Sequence, residues 1–401
     1  MNMVVASPLK HPGFSVLPES ISPRETMRPL GPPGSPVQKA LTLLTGAPLS
    51  VEDCPRETAL RQTVTASLSL VVGVLLSIVA CLAGGGWLLL LLPIWVITLH
   101  GMRKLRAVIM HQAAHRNLFR RPKLDHAVGE FISILLLSEE FEGYRRSHMA
   151  DHHGEAHQTL SDPTVAFLFD ELGLRTGMAP AEMWRRLLIT LFSPSYHGRF
   201  ATSRLRAHFT GTSIAHRLAV LAYIFALVAG LVFGGAKIIV LAWLIPLGPL
   251  TQCALAVRLA SEHLFVSPMP KRRGKHTLGM FTCAIFAGEA APVGKQGLPG
   301  ALAWAAWASR MLLWHLPMRL IVLPGDGPCH DLHHQEPGSK DWPNYIARRA
   351  VAAREADPTR AEYIEVWGLL NAIDRCFRSL SDARPEDFPY AQAPRRQLVN
   401  Q

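Results

Sequence analysis

Two long stretches almost without charge constrain this chain more than any other feature. Residues 62–102 contain no Asp, Glu, Lys or Arg, and residues 218–257 contain only Lys237. One helical span of a bilayer needs about 20 apolar residues, so each stretch is long enough for two. Gly84-Gly85-Gly86 interrupts the first and Gly234-Gly235 the second. Each reads as a helical hairpin, which predicts an all-α integral membrane fold with four transmembrane helices. With 49% hydrophobic and 18% charged residues, a disordered or fibrous chain is excluded.

The net charge of +11 on its own suggests a nucleic acid partner. Here every Lys and Arg except Lys237 lies outside the two hairpins, so a membrane face is the better reading and no nucleic acid is expected. The positive-inside rule then puts both termini, residues 103–217 and everything after Arg258 in the cytoplasm, with a bacterial inner membrane as the expected location. Residues 1–30 lack the apolar core of a secretion signal. Six scattered cysteines without a CxxC pair indicate neither a disulfide framework nor a thiolate metal site.

Three regions follow. Residues 1–60, rich in Pro, Gly and Ser, are expected to form a disordered arm. Residues 61–345 form the membrane domain, in which the apolar stretches 127–143 and 298–323 are read as helices in the interface or packed on a cytoplasmic helical domain, because charges in mid-span are costly. Residues 346–401 are expected to be a cytoplasmic helical extension whose surface is solvated.

Eighteen histidines are present, and nine of them fall into four groups. His111 and His115 stand four residues apart, on one helix face. His148, His152 and His153, and again His330, His333 and His334, combine a one-turn spacing with an adjacent pair. His263 follows the second hairpin by a few residues. Isolated histidines such as His11, His100, His197, His208, His216, His276 and His315 are better read as surface or satisfied core residues, and His126 and His157 remain open. Clusters on one side of a membrane point to metal binding. Imidazole suits iron, zinc, copper or nickel, and nine ligands are too many for one ion. Two ions of a redox metal account for neutral and numerous ligands, so a two-iron centre is inferred.

These three boxes, His111-x3-His115, His148-x3-His152-His153 and His330-x2-His333-His334, with Ser261-Glu262-His263, resemble those of the membrane fatty acid desaturases and hydroxylases. The resemblance covers roughly residues 62–345 and continues through Asp341-Trp342-Pro343-Asn344-Tyr345. It implies that the nine histidines hold two irons that activate O2 on the cytoplasmic side, in the helical domain. Two departures stand out: Leu259 occupies the position where some relatives carry an asparagine as an indirect ligand, and the second box has one residue more before its pair than many desaturases show. Glu262, Asp331, Asp151 and Asp162 are candidates to accept the outer N–H of ligating imidazoles.

The reaction expected is removal of hydrogen from an acyl chain of a lipid or acyl thioester, its tail entering from membrane lipid and its head held by Arg145, Arg146 or Lys271-Arg272-Arg273. The same basic residues would equally attract anionic lipid. His11-Pro12-Gly13-Phe14 is similar to a cytochrome b5 haem motif, but no such domain can follow in so Pro-rich an arm. No dinucleotide fingerprint or iron–sulfur cysteine set is present either, so a separate ferredoxin or cytochrome b5-like donor with its reductase is expected. A hydroxylase built on the same centre is the alternative, and helix and box spacing favour the desaturase. A zinc hydrolase would need Glu, not Gln112, after His111. A metal transporter would carry ligands inside its spans, which hold only His100 and Lys237 near their ends.

Overall fold

The computed structural model describes residues 22–388 except 155, 160, 271–274 and 356–360. The arm before residue 22, with His11, and the basic run Lys271-Arg272-Arg273 lie outside the described residues. The protein is mostly helical, 70% of it helix, with one pair of short strands among the described residues.

In chain order the elements that matter here begin with α1 (Pro36–Thr45) and α2 (Ala59–Ala83). A continuous apolar helical run, α3 (Gly85–Ala114), follows. Then come α4 (Pro122–Leu135), α5 (Phe141–Ser147), α6 (Pro180–Leu191), α7 (Pro194–Ala207) and α8 (Ile214–Gly230). Helix α9 (236–259) is followed by β1 (Ala284–Phe286), α10 (Gly297–Arg310), α11 (Leu316–Ile321) and α12 (His330–Gln335). Helix α13 (Tyr345–Glu355), β2 (Glu365–Trp367) and α14 (Leu369–Asp382) complete the described chain.

Among the described residues, three helical runs are long and apolar enough to cross a membrane: Ala59–Ala83, Gly85–Ala114 and Ile214–Leu259. Helices α2 and α3 pack through their glycines. A Cβ on Gly101 would lie 2.3 Å from the backbone nitrogen of Leu70, and one on Gly73 would lie 2.7 Å from that of Thr98. Small residues permit this backbone approach where apolar side chains gain nothing by leaving lipid. The outward faces carry exposed Leu68, Leu75, Val79 and Leu92.

The third run, 46 residues, would be about 69 Å long if straight, over twice the apolar thickness of a bilayer. It is broken instead at Phe233 and Gly234, and Gly234 has φ +96°, a conformation glycine adopts without strain. Beyond the break the chain returns along α8: Trp243 Nε1 donates to Tyr223 Oη at 2.7 Å, although 20 residues of straight helix would separate them by about 30 Å. Trp95 Nε1 then ties α3 to the Leu241 carbonyl. Lys237 reaches the Cys81 carbonyl at the end of α2, satisfying a group the helix itself leaves open.

Among the described residues the expected disordered arm is instead built into the fold. Ser35 caps α1, and the Gln38 amide donates to the carbonyls of Met27 and Gly31. Arg24 is buried and donates to the carbonyls of Ala47 and Gln38. Gly46 lies so close to Pro328 that a Cβ would meet it at 2.4 Å. Pro and Gly here set turns and close contacts, and side-chain hydrogen bonds take the place of a large apolar face.

Nor is the C-terminal part a separate extension. Strand β2 pairs in parallel with β1, in the register Ala284↔Glu365, Ile285↔Val366, Phe286↔Trp367. Helix α14 buries Ile373, Cys376, Phe377 and Leu380 in the same core as Phe169, Leu264 and Cys283. Stretch 127–143 contributes α4, whose Gly129 lies against Phe141 of α5. Stretch 298–323 contributes α10 and α11; Leu298 and Leu302 of α10 are exposed, as is Leu313 between the two helices.

Candidate metal centre

Local backbone geometry sorts the histidines into two nests. Five residues, His111, His115, His148, His153 and His333, bring one ligand atom each to within 4.8 Å of one another. A second group, His152, His157, His263 and His334, does the same, and Glu262, His263 and His330 form a third that shares His263 with it. His330 Nε2 lies 3.1 Å from His334 Nε2, so the second and third groups make one nest.

The adjacent pairs are what link the nests. Neighbouring residues on a helix point roughly 100° apart, so His153 and His333 face one nest while His152 and His334 face the other. In the second box the backbone widens: the His153 N–H bonds the carbonyl of His148, five residues back, at 3.0 Å. That wide turn sets His148 and His153 on one side. A similar wide segment, Leu105–Met110, leads α3 into the first box. In α12 the four-residue spacing stacks His330 over His334 and sends His333 the other way.

Nitrogens face one another across both nests. His111 Nε2 is 2.8 Å from His333 Nε2, His115 Nε2 is 3.1 Å from His148 Nε2, and His333 Nε2 is 3.1 Å from His153 Nε2. His263 Nε2 is 3.3 Å from His334 Nε2. Two imidazoles alone can share a proton, but five facing nitrogens leave several lone pairs directed at one another. At a metal–imidazole distance of about 2.0–2.1 Å, neighbouring ligand nitrogens sit about 2.9 Å apart at right angles and about 3.4 Å apart at tetrahedral angles. The observed separations, 2.8–3.3 Å, lie within about 0.1 Å of that interval, so both nests fit a metal ion with nitrogen ligands. No cysteine enters either group among the described residues.

Burial disfavours protonation of most of the clustered imidazoles. Burial, reinforced by neighbouring imidazoles, holds His148, His153, His263, His333 and His334 well below the usual histidine range, and brings His115 to about 4. His330 is held low by burial and by Arg258. His152 is the exception: burial pulls it down, but the charge and hydrogen bond of Asp162 outweigh that and raise it.

Asp162 anchors the second nest from outside. It is fully buried, and its two oxygens lie 3.1 Å from His152 Nδ1 and 3.1 Å from His157 Nδ1. It also accepts from the backbone N–H groups of Gln158 and Thr164, which fixes the loop after the second box. Tyr144 plays the corresponding part in the first nest, its hydroxyl 3.1 Å from His111 Nδ1 and its ring stacked on His148. Arg106 lies over that ring and binds Glu139, which Arg204 also binds.

The other carboxylates differ from expectation. Asp331 accepts no histidine N–H among the described residues: Arg349 Nε bridges both of its oxygens, at 2.9 and 3.0 Å, and the Leu332 N–H donates to one. A buried carboxylate within α12 is better satisfied by a charged guanidinium than by one neutral imidazole. Asp151 is half-buried and makes no hydrogen bond or ion pair with a histidine among the described residues. Glu262 is 3.7 Å from both His263 Nδ1 and His330 Nε2, too far to hydrogen-bond either.

All nine histidines singled out in the sequence are therefore brought together, and a tenth, His157, joins them fully buried. Its signal was a fourth histidine within ten residues of the second box, closed by Asp162-Pro163. His208 and His216 lie elsewhere, in a buried pair 2.9 Å apart that Glu130 of α4 completes. Arg145 of the suggested head-group set is bound to Glu142.

Comparison with known proteins agrees with this architecture. No curated protein matches the chain. Residues 85–367, which span all three boxes, His263 and the strand pair, match the family model described as Fatty acid desaturase, and the chain accordingly belongs to the fatty acid desaturase family.

Proposed function

We propose that this protein is an O2-dependent di-iron acyl desaturase of the membrane, drawing electrons from a separate donor. Family membership makes it an oxidoreductase of the desaturase and hydroxylase type, and its apolar helices make it an integral membrane protein. The observation that carries the finer reading is the pair of histidine nests, with facing nitrogens 2.8–3.3 Å apart and adjacent histidines divided between them.

His111, His115, His148, His153 and His333 would hold one iron, and His152, His157, His263, His330 and His334 the other. Bound there, the two irons supply the activation of O2 that an unreactive C–H bond requires. The balanced reaction turns –CH2–CH2– with O2, two electrons and two protons into –CH=CH– and two waters. Tyr144 and Asp162 fix the tautomers of His111, His152 and His157 by engaging the nitrogen that faces away from the ion. Burial of the second nest excludes water from it.

The break at Gly234 supports a count of four spans. The positive-inside pattern then sets the termini and the nests in the cytoplasm, in a bacterial inner membrane. An acyl tail entering from the bilayer, as lipid or thioester, would leave its head near Arg145 and Arg146. The electrons come from a ferredoxin or a cytochrome b5-like protein with its reductase.

The test is expression in a bacterial host with a matching reductase system, with His152→Ala as control, and mass spectrometry of acyl chains and small metabolites. A product lighter by two hydrogens that the control lacks is expected. A product heavier by one oxygen would make the protein a hydroxylase. Zinc as the sole tightly held metal would remove the oxidative reading.

A further inference from the structure

The second nest contains a carboxylate that the histidine boxes do not require. We propose that Glu262 is itself a ligand of the ion held by His152, His157, His263, His330 and His334, with Arg258 holding it in place; this rests on the two-iron reading above. Glu262 was expected to accept the outer N–H of a ligating histidine, but its Oε1 lies 3.7 Å from His263 Nδ1, the nitrogen facing away from His334, which is beyond hydrogen-bond reach. Its Oε2 lies 3.7 Å from His330 Nε2, the same nitrogen that faces His334 Nε2 at 3.1 Å. The carboxylate therefore stands on the inner side of His330, among the lone pairs.

Its partners point the same way. Arg258 Nε donates to Oε2 at 2.7 Å while Arg258 Nη1 is bound to the Gly327 carbonyl at 3.1 Å, which pins the guanidinium between α9 and the turn leading into α12. No hydrogen bond reaches Oε1 among the described residues, although Glu262 is buried. Arg258 meets the charge through Oε2, and the lone pairs of Oε1 are left free for an ion. Leu259, one turn before His263, offers no donor, so the carboxylate is the oxygen ligand available on that side. The two nests would then differ in kind: one bound by nitrogen alone, the other by nitrogen and one anionic oxygen.

The test uses the full-length protein in detergent, loaded with isotopically enriched iron, and compares wild type with Glu262→Gln and Glu262→Ala by iron content and Mössbauer spectroscopy. Glutamine keeps an acceptor for Arg258 and removes only the anionic ligand. The expected result is a twofold fall, from two irons per chain to one, or two irons with only one of two equal quadrupole doublets shifted. Persistence of the other doublet shows that the protein is folded. Two irons with an unchanged spectrum in Glu262→Gln would overturn the proposal while leaving the two-iron reading intact. A wild type that binds fewer than two irons, or His152→Ala and His333→Ala variants that lose none, would overturn that reading and the proposal with it.

Discussion

The two nests are built from the same boxes, yet they sit in different surroundings. In the first, His111, His115 and His153 are only half-buried, and the nearest anchor is the neutral hydroxyl of Tyr144. In the second, every member is buried, and two carboxylates, Asp162 and Glu262, flank it. Adjacent histidines thus present the same ligand to one accessible, all-nitrogen site and to one enclosed site with negative charge nearby. Charge beside an enclosed site matters more because the medium screens it less. Removing a neighbour should therefore cost the second nest more than the first.

The comparison can be broken most directly by removing a ligand from each side. His152→Ala and His333→Ala should each lower activity by about a hundredfold or more, beyond the loss typical of outer partners. Iron should leave the enclosed nest in the first variant and the accessible nest in the second. Loss of the same iron signal in both variants would show that the nests are not separate.

Next comes Asp162→Asn, which removes the charge facing both His152 and His157. Iron affinity at the enclosed nest should fall by about 10–100-fold, and the accessible nest should keep its metal. Tyr144→Phe removes only a neutral hydroxyl, so metal affinity at the accessible nest should fall by about tenfold or less, the low end of the same range. A larger loss for Tyr144→Phe than for Asp162→Asn in metal titrations would reverse the ranking drawn from charge and burial.

Exposure gives a kinetic version of the same contrast. A chelator added to the iron-loaded protein should withdraw metal from the accessible nest first, followed as sequential loss of two spectroscopic signals. Simultaneous loss would mean that burial of the second nest does not govern release. The smallest effect on iron is expected for His208→Ala, whose buried partner His216 binds Glu130 and ties α7 and α8 to α4. It should lower stability by about 1–3 kcal/mol, read from thermal unfolding in detergent, with iron content unchanged.

The hairpins and the three boxes were legible because each is written locally. A run without charge long enough to span a bilayer has few other uses, and histidines one turn apart share a helix face whatever surrounds them. His157 was harder to read, since its place depends on the turn beginning at Gly154 and on a carboxylate five residues farther on. Asp331 stood beside a ligand as a candidate partner, but Arg349, 18 residues away, claims it. The arm was misread for residues 22–54 because composition reports apolar area and says little about Arg24 and Gln38 satisfying backbone carbonyls across turns.

The sequence alone determined where the long apolar runs lie and that imidazoles one turn apart share a helix face. These follow from periodicity and hydropathy, which need no knowledge of neighbours. Only the tertiary structure decided how the pairs divide between two nests, that Glu262 lies on the inner side of His330, and that Gly46 and Arg349 pack against the third box and the turn before it. Those outcomes depend on helix rotation, wide turns and long-range hydrogen bonds, where a few degrees or a distant arginine decide what each side chain meets.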